Sequence, residues 1–206
     1  MDNIIQILIS VGAIIPNDHF VGTSGRHLEA YINKDALYPH TKETSLIGRY
    51  FAEAHKDLDI DLVAGPAMGG FILSQWTARH LSDIKGKEIL SGYAEKKGGI
   101  LNLTRGYDKL VKEKNVLVVE DLTTTGGSLA AVIDLVKKAG GIVLAASVMV
   151  NRDPELVSSS IFGVPFLALA EYITASYSAE ECPLCAKNIP INVSLGHGAK
   201  FLADKK

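Results

Sequence analysis

The chain is poor in cysteine. Its 206 residues contain two, Cys182 and Cys185, with only Pro183 and Leu184 between them. One such pair cannot staple a fold of this length, so a disulfide scaffold is excluded and a reduced, cytoplasmic protein is the expectation. An excess of positive charge is also lacking. Lys and Arg number 21 against 23 Asp and Glu, for a formal net charge of −2. No bulk field therefore favours nucleic acid or an anionic membrane, and any anion site has to be local. No helix-turn-helix segment and no basic stripe is evident. Long apolar runs are missing too. The N-terminal stretch IIQILISVGAII, residues 4–15, is too short to cross a bilayer. No Lys or Arg precedes it, and no clean small-residue cleavage pattern follows. Within it Ile4, Ile7, Leu8, Val11, Ile14 and Ile15 fall at helical spacing, which predicts a packed amphipathic helix. Internal repeats, low-complexity tracts and long linkers are absent.

What is present is the composition of an ordinary globular protein. Hydrophobic residues make up 47% and charged residues 21%, enough for one α/β domain with a sizeable core. After the N-terminal helix comes a segment rich in turn formers, PNDHFVGTSGRH. From about residue 44 the pattern alternates. TSLIGRYFAEAHKDL reads as a helix capped by Thr44 or Ser45, DLVAG as a buried strand and FILSQWTARHL as a helix. KEILSGYA and NVLVVED read as strands, SLAAVIDLVKKAGG as a helix closed by glycines, and IVLAASVMVN as a strand; Val164–Leu169 is a candidate for one more. Alternation of this kind predicts a parallel-rich sheet with helices on both faces. Ligands of such sheets bind beyond the carboxyl ends of the strands. Three informative loops lie there: 65–70, 120–128 and 151–154.

The most informative stretch is VLVVEDLTTTGGSL, residues 116–129. Its apolar strand ends in Glu120 and Asp121. Leu122, Thr123, Thr124, Thr125, Gly126, Gly127 and Ser128 then lead into a helix N-terminus. Glycines allow backbone N–H groups to turn inward, hydroxyls add donors, and the helix dipole favours a dianion. The loop is neither a Walker loop nor a dinucleotide GxGxxG. The two carboxylates are acceptors only, suited to hydroxyl groups or to a hydrated divalent cation. A sugar phosphate fits both ends, with the phosphate in the TTTGGS cradle and the sugar hydroxyls on Glu120 and Asp121. A capped helix beside two solvated carboxylates is the plainer alternative.

This stretch resembles the phosphoribosyl-pyrophosphate motif of the type I phosphoribosyltransferases. Further segments, in the same order along the chain, resemble the orotate phosphoribosyltransferases of that family, over about residues 8–191. They are HFVGTSGRHLEAYIN, LVAGPAMGGFILSQWTARHL, GYAEKKGGILNLTRGY, VMVNRDP and ECPLCAKNIPI. The resemblance implies an α/β type I phosphoribosyltransferase fold. Its core would span 41–164, and residues 1–40 and about 165–206 would form a small hood and terminal segments of the same single domain. It implies transfer of a phosphoribosyl group from phosphoribosyl pyrophosphate to orotate, with Mg²⁺ held by Asp121 and Glu120 through water. It implies a homodimer with shared active sites, and no nucleic acid or membrane partner. A purine or other base as acceptor, and a non-catalytic sensor of phosphoribosyl pyrophosphate, are the rival readings.

The remaining constellations take roles from the resemblance. Ala67, Met68 and Gly69, in the PAMGG loop, would meet the pyrophosphate through backbone amides; a close-packed turn accounts for the same residues. Many orotate phosphoribosyltransferases carry a lysine in this loop, and here Met68-Gly69-Gly70 stand instead. Lys96 and Lys97, beside Gly98 and Gly99, fit a hairpin arm with Arg105 further on. As a closing catalytic loop they would stabilise charge on the leaving pyrophosphate and exclude water. As a surface turn they would be solvated. No histidine lies between Tyr93 and Arg105, where the family's longer loops carry one. Arg152, ending an apolar strand, suits a carboxylate or carbonyl-rich base edge, or a surface pairing with Asp153 or Glu155. Thr23 and Thr124 complete the implied base-binding set. Trp76 is expected in the core or at a dimer face. His19, His27 and His40 are expected at the surface. The Cys182–Cys185 spacing suits zinc or redox chemistry. A structural zinc needs four ligands, though, and only His197 offers itself as a third, so two buried thiols are the expectation.

Overall fold

The computed structural model describes residues 4–22 and 24–204. Its elements, in chain order, are α1 (Ile4–Ser10), β1 (Ile14–Val21), β2 (His27–Ile32), α2 (Thr41–Ala54), β3 (Leu62–Pro66), α3 (Gly69–Lys85), β4 (Leu90–Lys97), β5 (Ile100–Asn102) and α4 (Tyr107–Leu110). They continue with β6 (Asn115–Thr123), α5 (Gly127–Lys138), β7 (Ile142–Asn151), α6 (Ser159–Phe162), β8 (Phe166–Glu171), β9 (Ser176–Tyr177), α7 (Pro183–Ala186) and α8 (Gly198–Asp204). The chain divides into two compact units. One runs from Leu37 to Tyr172, and the other joins residues 4–36 to 173–204. No helix among the described residues is long and apolar enough to cross a membrane.

The larger unit is a six-stranded sheet in the order β5-β4-β3-β6-β7-β8. All its pairings are parallel except β4 with β5. From β3 the chain passes through α3 to β4 on one side. From β6 it passes through α5 to β7 on the other. Right-handed crossovers in opposite directions put the two helices on opposite faces. The strand order therefore reverses between β3 and β6, and a crevice opens at their carboxyl ends.

The α5 face is built by spacing. Leu129, Val132, Ile133 and Val136 recur at i, i+3, i+4 and i+7, and all four are buried. They pack on Leu62 and Ala64 of β3, Val116 and Val118 of β6, and Ala146 of β7. Burying four such side chains contributes roughly 6–12 kcal/mol before chain entropy is subtracted. The alternate residues Val63, Leu117 and Val119, also buried, point to the other face. There α2 packs against α3, and Gly48 lets the two helices meet at Trp76, which is half-buried.

In the smaller unit β1, β2 and β9 form an antiparallel sheet. The expected 4–15 helix stops at Ser10. Gly12 turns the chain at φ 73°, and Ala13 N–H closes back on the Leu8 carbonyl. Ile14 and Ile15, β-branched, begin β1 instead. The turn formers Pro16, Asn17 and Asp18 sit where the β1–β2 register shifts, within a strand rather than a loop. His19 and His27, expected at the surface, are fully buried at 0% exposure, whereas His40 is exposed. Thr44 does not cap α2. Its hydroxyl donates back to the carbonyls of His40 and Leu37, and the helix begins earlier, at Thr41.

Candidate active site

At the crevice the loop after β3 packs against the end of β6, from which the TTTGGS loop departs. Glu120 and Asp121, near the end of β6, are almost completely buried. Strand alternation sends their side chains to opposite faces, so the two do not act as a single-sided clamp. Asp121 shares the side of Leu117 and Val119. The Tyr38 hydroxyl donates to its Oδ2 over 2.6 Å. Glu120 takes the α5 side, and its Oε1 accepts the Asp121 backbone N–H at 3.2 Å.

Gly69 stands against this carboxylate. A Cβ there would overlap both the Asp121 carboxylate and the Tyr38 hydroxyl. Gly70 is equally confined, since a Cβ would come within 2.6 Å of Pro66 Cδ and 2.9 Å of the Val119 carbonyl. Close packing therefore accounts for both glycines of PAMGG. Ala67 and Met68 form the exposed part of the loop, joined by a cis peptide bond. Ala67 N–H donates to the Ala94 carbonyl of β4, so this amide is committed within the sheet.

The TTTGGS loop divides its labour. Thr123 is buried, and its Oγ1 accepts the Gly126 N–H at 2.9 Å, bracing the turn. Gly126 stands at φ 77° as the residue before α5, a conformation that favours glycine. Thr124, Thr125, Gly127 and Ser128 are exposed, and Leu122 is half-buried. The first intrahelical bond of α5 runs from Ala130 N–H to the Gly126 carbonyl. The amides before it have no acceptor within the helix, and they lie at its positive dipole end. Exposed hydroxyls and the amides beyond Gly126 supply the donors that an anion cradle requires.

Arg152 follows β7. Its backbone N–H donates to the Thr123 carbonyl at 2.9 Å, which fixes it beside the cradle, half-buried. Asp153, one of its expected pairing partners, accepts the Leu156 N–H through Oδ1. Lys96 and Lys97 end β4 in a two-stranded arm with β5. Gly98 and Gly99, both at positive φ, make its turn, and both lysines are exposed. Arg105 is not at the tip with them. It reaches back to Glu95 Oε1 at 3.0 Å, where the Thr104 hydroxyl also donates. The Thr104 hydroxyl first, and the Arg105 guanidinium second, hold the Glu95 carboxyl below its usual range.

The structure thus brings Glu120, Asp121, the PAMGG loop, the TTTGGS loop and Arg152 to one end of the sheet. The lysine arm extends from that end. Thr23 lies outside the described residues. Tyr38 was not foreseen, because the DALYPH stretch that carries it has no periodicity or motif to single out a tyrosine.

Comparison with known proteins identifies the arrangement. A model of the phosphoribosyl transferase domain matches residues 33–165. The orotate phosphoribosyltransferase of Thermotoga maritima is 36% identical over 195 residues, spanning 95% of this chain and 98% of that protein. That of Pelotomaculum thermopropionicum is 38% identical over 189 residues, spanning 92% and 94%. Among solved structures, the Mycobacterium tuberculosis orotate phosphoribosyltransferase in complex with 5-phospho-α-D-ribosyl 1-diphosphate aligns with a TM-score of 0.63. It is 22% identical and covers 83% of this chain and 96% of that one, a likeness of fold. The Aeropyrum pernix enzyme aligns at 0.62 with 26% identity, covering 81% and 92%.

Proposed function

This chain belongs to the phosphoribosyltransferase family, and we propose that it transfers the 5-phosphoribosyl group of phosphoribosyl pyrophosphate to orotate, giving orotidine 5′-phosphate and pyrophosphate. One observation carries the reading: the close-packed loop after β3 stands against Asp121, two residues before Thr123 braces the turn into α5, at the switch point of the sheet. Orotate is favoured as the base because relatives sharing nearly the full length are orotate phosphoribosyltransferases.

The cradle amides and the Thr124, Thr125 and Ser128 hydroxyls hold the 5′-phosphate. Asp121 accepts ribose hydroxyls from one side of the strand, and Glu120 from the other. A carboxylate has about four lone-pair sites, so Asp121 can accept from more than one donor at a time. These hard, acceptor-only oxygens fit a hydrated Mg²⁺, which they would hold through its waters. Bound there, the ion would neutralise charge on the pyrophosphate. Arg152 pairs with the orotate carboxylate or carbonyl edge, and Thr124 lies next to the base. The bond from ribose C1 to the pyrophosphate oxygen breaks as a bond to the base nitrogen forms. Lys96 and Lys97, brought over by the arm, stabilise the charge left on pyrophosphate, and Arg105 joins them on leaving Glu95. No side chain acts as a nucleophile. Positioning and electrostatic stabilisation supply the rate. The chain works as a homodimer whose arms serve the neighbouring site.

The test is the ultraviolet loss of orotate on mixing protein, Mg²⁺ and phosphoribosyl pyrophosphate, with purine bases in parallel. Orotate consumption that needs every component is expected. Product from a purine alone would discard the base assignment. Binding of phosphoribosyl pyrophosphate without turnover of any base would make the chain a sensor.

A further inference from the structure

The smaller unit contains a second constellation, away from the residues assigned to transfer. His19 on β1, His27 at the start of β2, and Cys182 and Cys185 at α7 each turn one ligand-capable atom to a common point, and these atoms lie within 4.8 Å of one another. The residues come from opposite ends of the chain, His19 and Cys185 being 166 positions apart. Three of the four are buried and Cys185 is half-buried. We propose that His19, His27, Cys182 and Cys185 bind a single structural Zn²⁺ that ties the two chain ends of this unit together.

Geometry supports a metal over a plain thiol pair. A tetrahedral zinc with ordinary bond lengths has ligand–ligand edges of about 3.3–3.8 Å. Here His19 Nε2 lies 3.7 Å from Cys182 Sγ and 3.9 Å from Cys185 Sγ, and His27 Nδ1 lies 3.4 Å from Cys185 Sγ. The two histidine nitrogens are closer, at 2.7 Å, and separate by roughly 0.6 Å when an ion enters. The outer hydrogen bond has the right sense. His19 Nδ1 is 2.8 Å from the Ile189 carbonyl, which can only accept. The ring proton is therefore on Nδ1, and Nε2 presents its lone pair inward, the arrangement that orients zinc-binding histidines.

The chemistry selects the ion. Two sulfurs and two imidazole nitrogens in a tetrahedral set suit zinc rather than a hard oxygen-seeking cation. Four protein ligands leave no open position, so the site is structural and not catalytic. On binding, both thiols release their protons to water, and the His27 proton moves from Nδ1 to Nε2. A thiol–disulfide role fits less well, because Cys182 is only 2% exposed and offers little access to a partner. The need for a staple is also visible. The unit is small and built from two separate pieces of chain, and units of that size commonly depend on a metal or disulfide. The ion would pin β1 and β2 together, next to the point where the Gly22 N–H donates to the Arg26 carbonyl.

The test uses the full chain, purified without a histidine tag or chelator, with metals measured by inorganic mass spectrometry. About one zinc per chain is expected, and under a tenth of that for Cys182→Ser, Cys185→Ser or His27→Gln. His197→Ala should keep the metal, since His197 is not one of the four. The wild-type chain, stripped and reloaded with Co²⁺, should show the ligand-field and thiolate charge-transfer bands of a tetrahedral site. Its thermal midpoint should rise with Zn²⁺ and not with Mg²⁺. These wild-type readouts stand even if a ligand variant fails to fold. A metal-free preparation whose spectrum and midpoint ignore Co²⁺ and Zn²⁺ would overturn the proposal. So would a Cys182–Cys185 disulfide in the purified protein.

Discussion

The Tyr38 hydroxyl donates a 2.6 Å hydrogen bond to Asp121 Oδ2, and the bond exists because Gly69 has no Cβ to occupy its place. Two substitutions separate the parts of this arrangement. Tyr38→Phe removes one donor to a carboxylate, worth about 1.5 kcal/mol, so kcat/KM for phosphoribosyl pyrophosphate should fall about tenfold. Gly69→Ala pushes the carboxylate itself aside, and the loss should approach about a hundredfold. What must move in Gly69→Ala is the ends of two side chains, so its thermal midpoint should stay close to that of wild type. Steady-state kinetics with thermal melts decide the matter. Gly69→Ala with wild-type kinetics would remove Asp121 from the chemistry.

Asp121→Asn keeps the shape of the side chain and leaves Tyr38 an acceptor. Only the charge goes. Turnover should drop by about a hundredfold or more, the scale of losing one well-placed electrostatic contact. The melting curve should be unchanged. If turnover is also unchanged, the β6 carboxylate is structural.

The strand–helix alternation of the larger unit was legible because its signals are local. Leu129, Val132, Ile133 and Val136 repeat at helical spacing, and NVLVVED reads as a strand from its own residues. The turn between β6 and α5 was legible for the same reason, since the glycines and hydroxyls of TTTGGS lie together in one loop. The errors fall where a distant segment decides. Tyr38 and Asp121 are 83 residues apart, and nothing near Tyr38 marks it as a partner. His19 and His27 lie among turn formers and read as surface residues. They are buried among residues that return from the far end of the chain, Cys182, Cys185, Ile189 and Phe201. Local pattern also could not show that Gly69 serves packing, because its neighbours Tyr38 and Asp121 come from other segments.

Arg152 is fixed through its backbone N–H on the Thr123 carbonyl, and its side chain carries a fork that matches a carboxylate. Arg152→Ala should raise KM for orotate about 10- to 100-fold, the range for losing a charge-assisted hydrogen bond, with little change in KM for phosphoribosyl pyrophosphate. Arg152→Lys should recover only part of the loss, because an ammonium cannot pair with both carboxylate oxygens. Equal damage with both substrates would show that Arg152 supports the cradle and not the base.

The arm carrying Lys96 and Lys97 is exposed, so Lys96→Ala with Lys97→Ala should lower kcat and leave the melt untouched. Sharing of sites can be read by complementation. Mixing this double variant with Asp121→Asn, each nearly inactive, allows hybrid dimers to form. If each arm serves the partner's site, a hybrid holds one intact site, and an equal mixture should regain about a quarter of wild-type activity. Arms serving their own subunit would give no recovery.

His55 supplies a pH dependence that involves no substrate. It follows α2, is 8% exposed, and its Nε2 lies 2.7 Å from Ser147 Oγ on β7. Burial lowers its pKa, so the folded protein keeps the ring neutral. In the unfolded chain the ring takes up a proton near about pH 6.5. Below that point the unfolded state binds more protons than the folded one, so stability falls with acidification. The contribution is fully present above the unfolded value and is lost as the pH drops through the lower folded one. Urea unfolding between about pH 5 and 8 should show the wild type losing stability on the acid side more steeply than His55→Gln. Gln keeps a polar partner for Ser147 but cannot titrate. Parallel slopes for the two proteins would mean that His55 takes up protons equally in the folded and unfolded states, and that burial beside Ser147 does not favour the neutral ring.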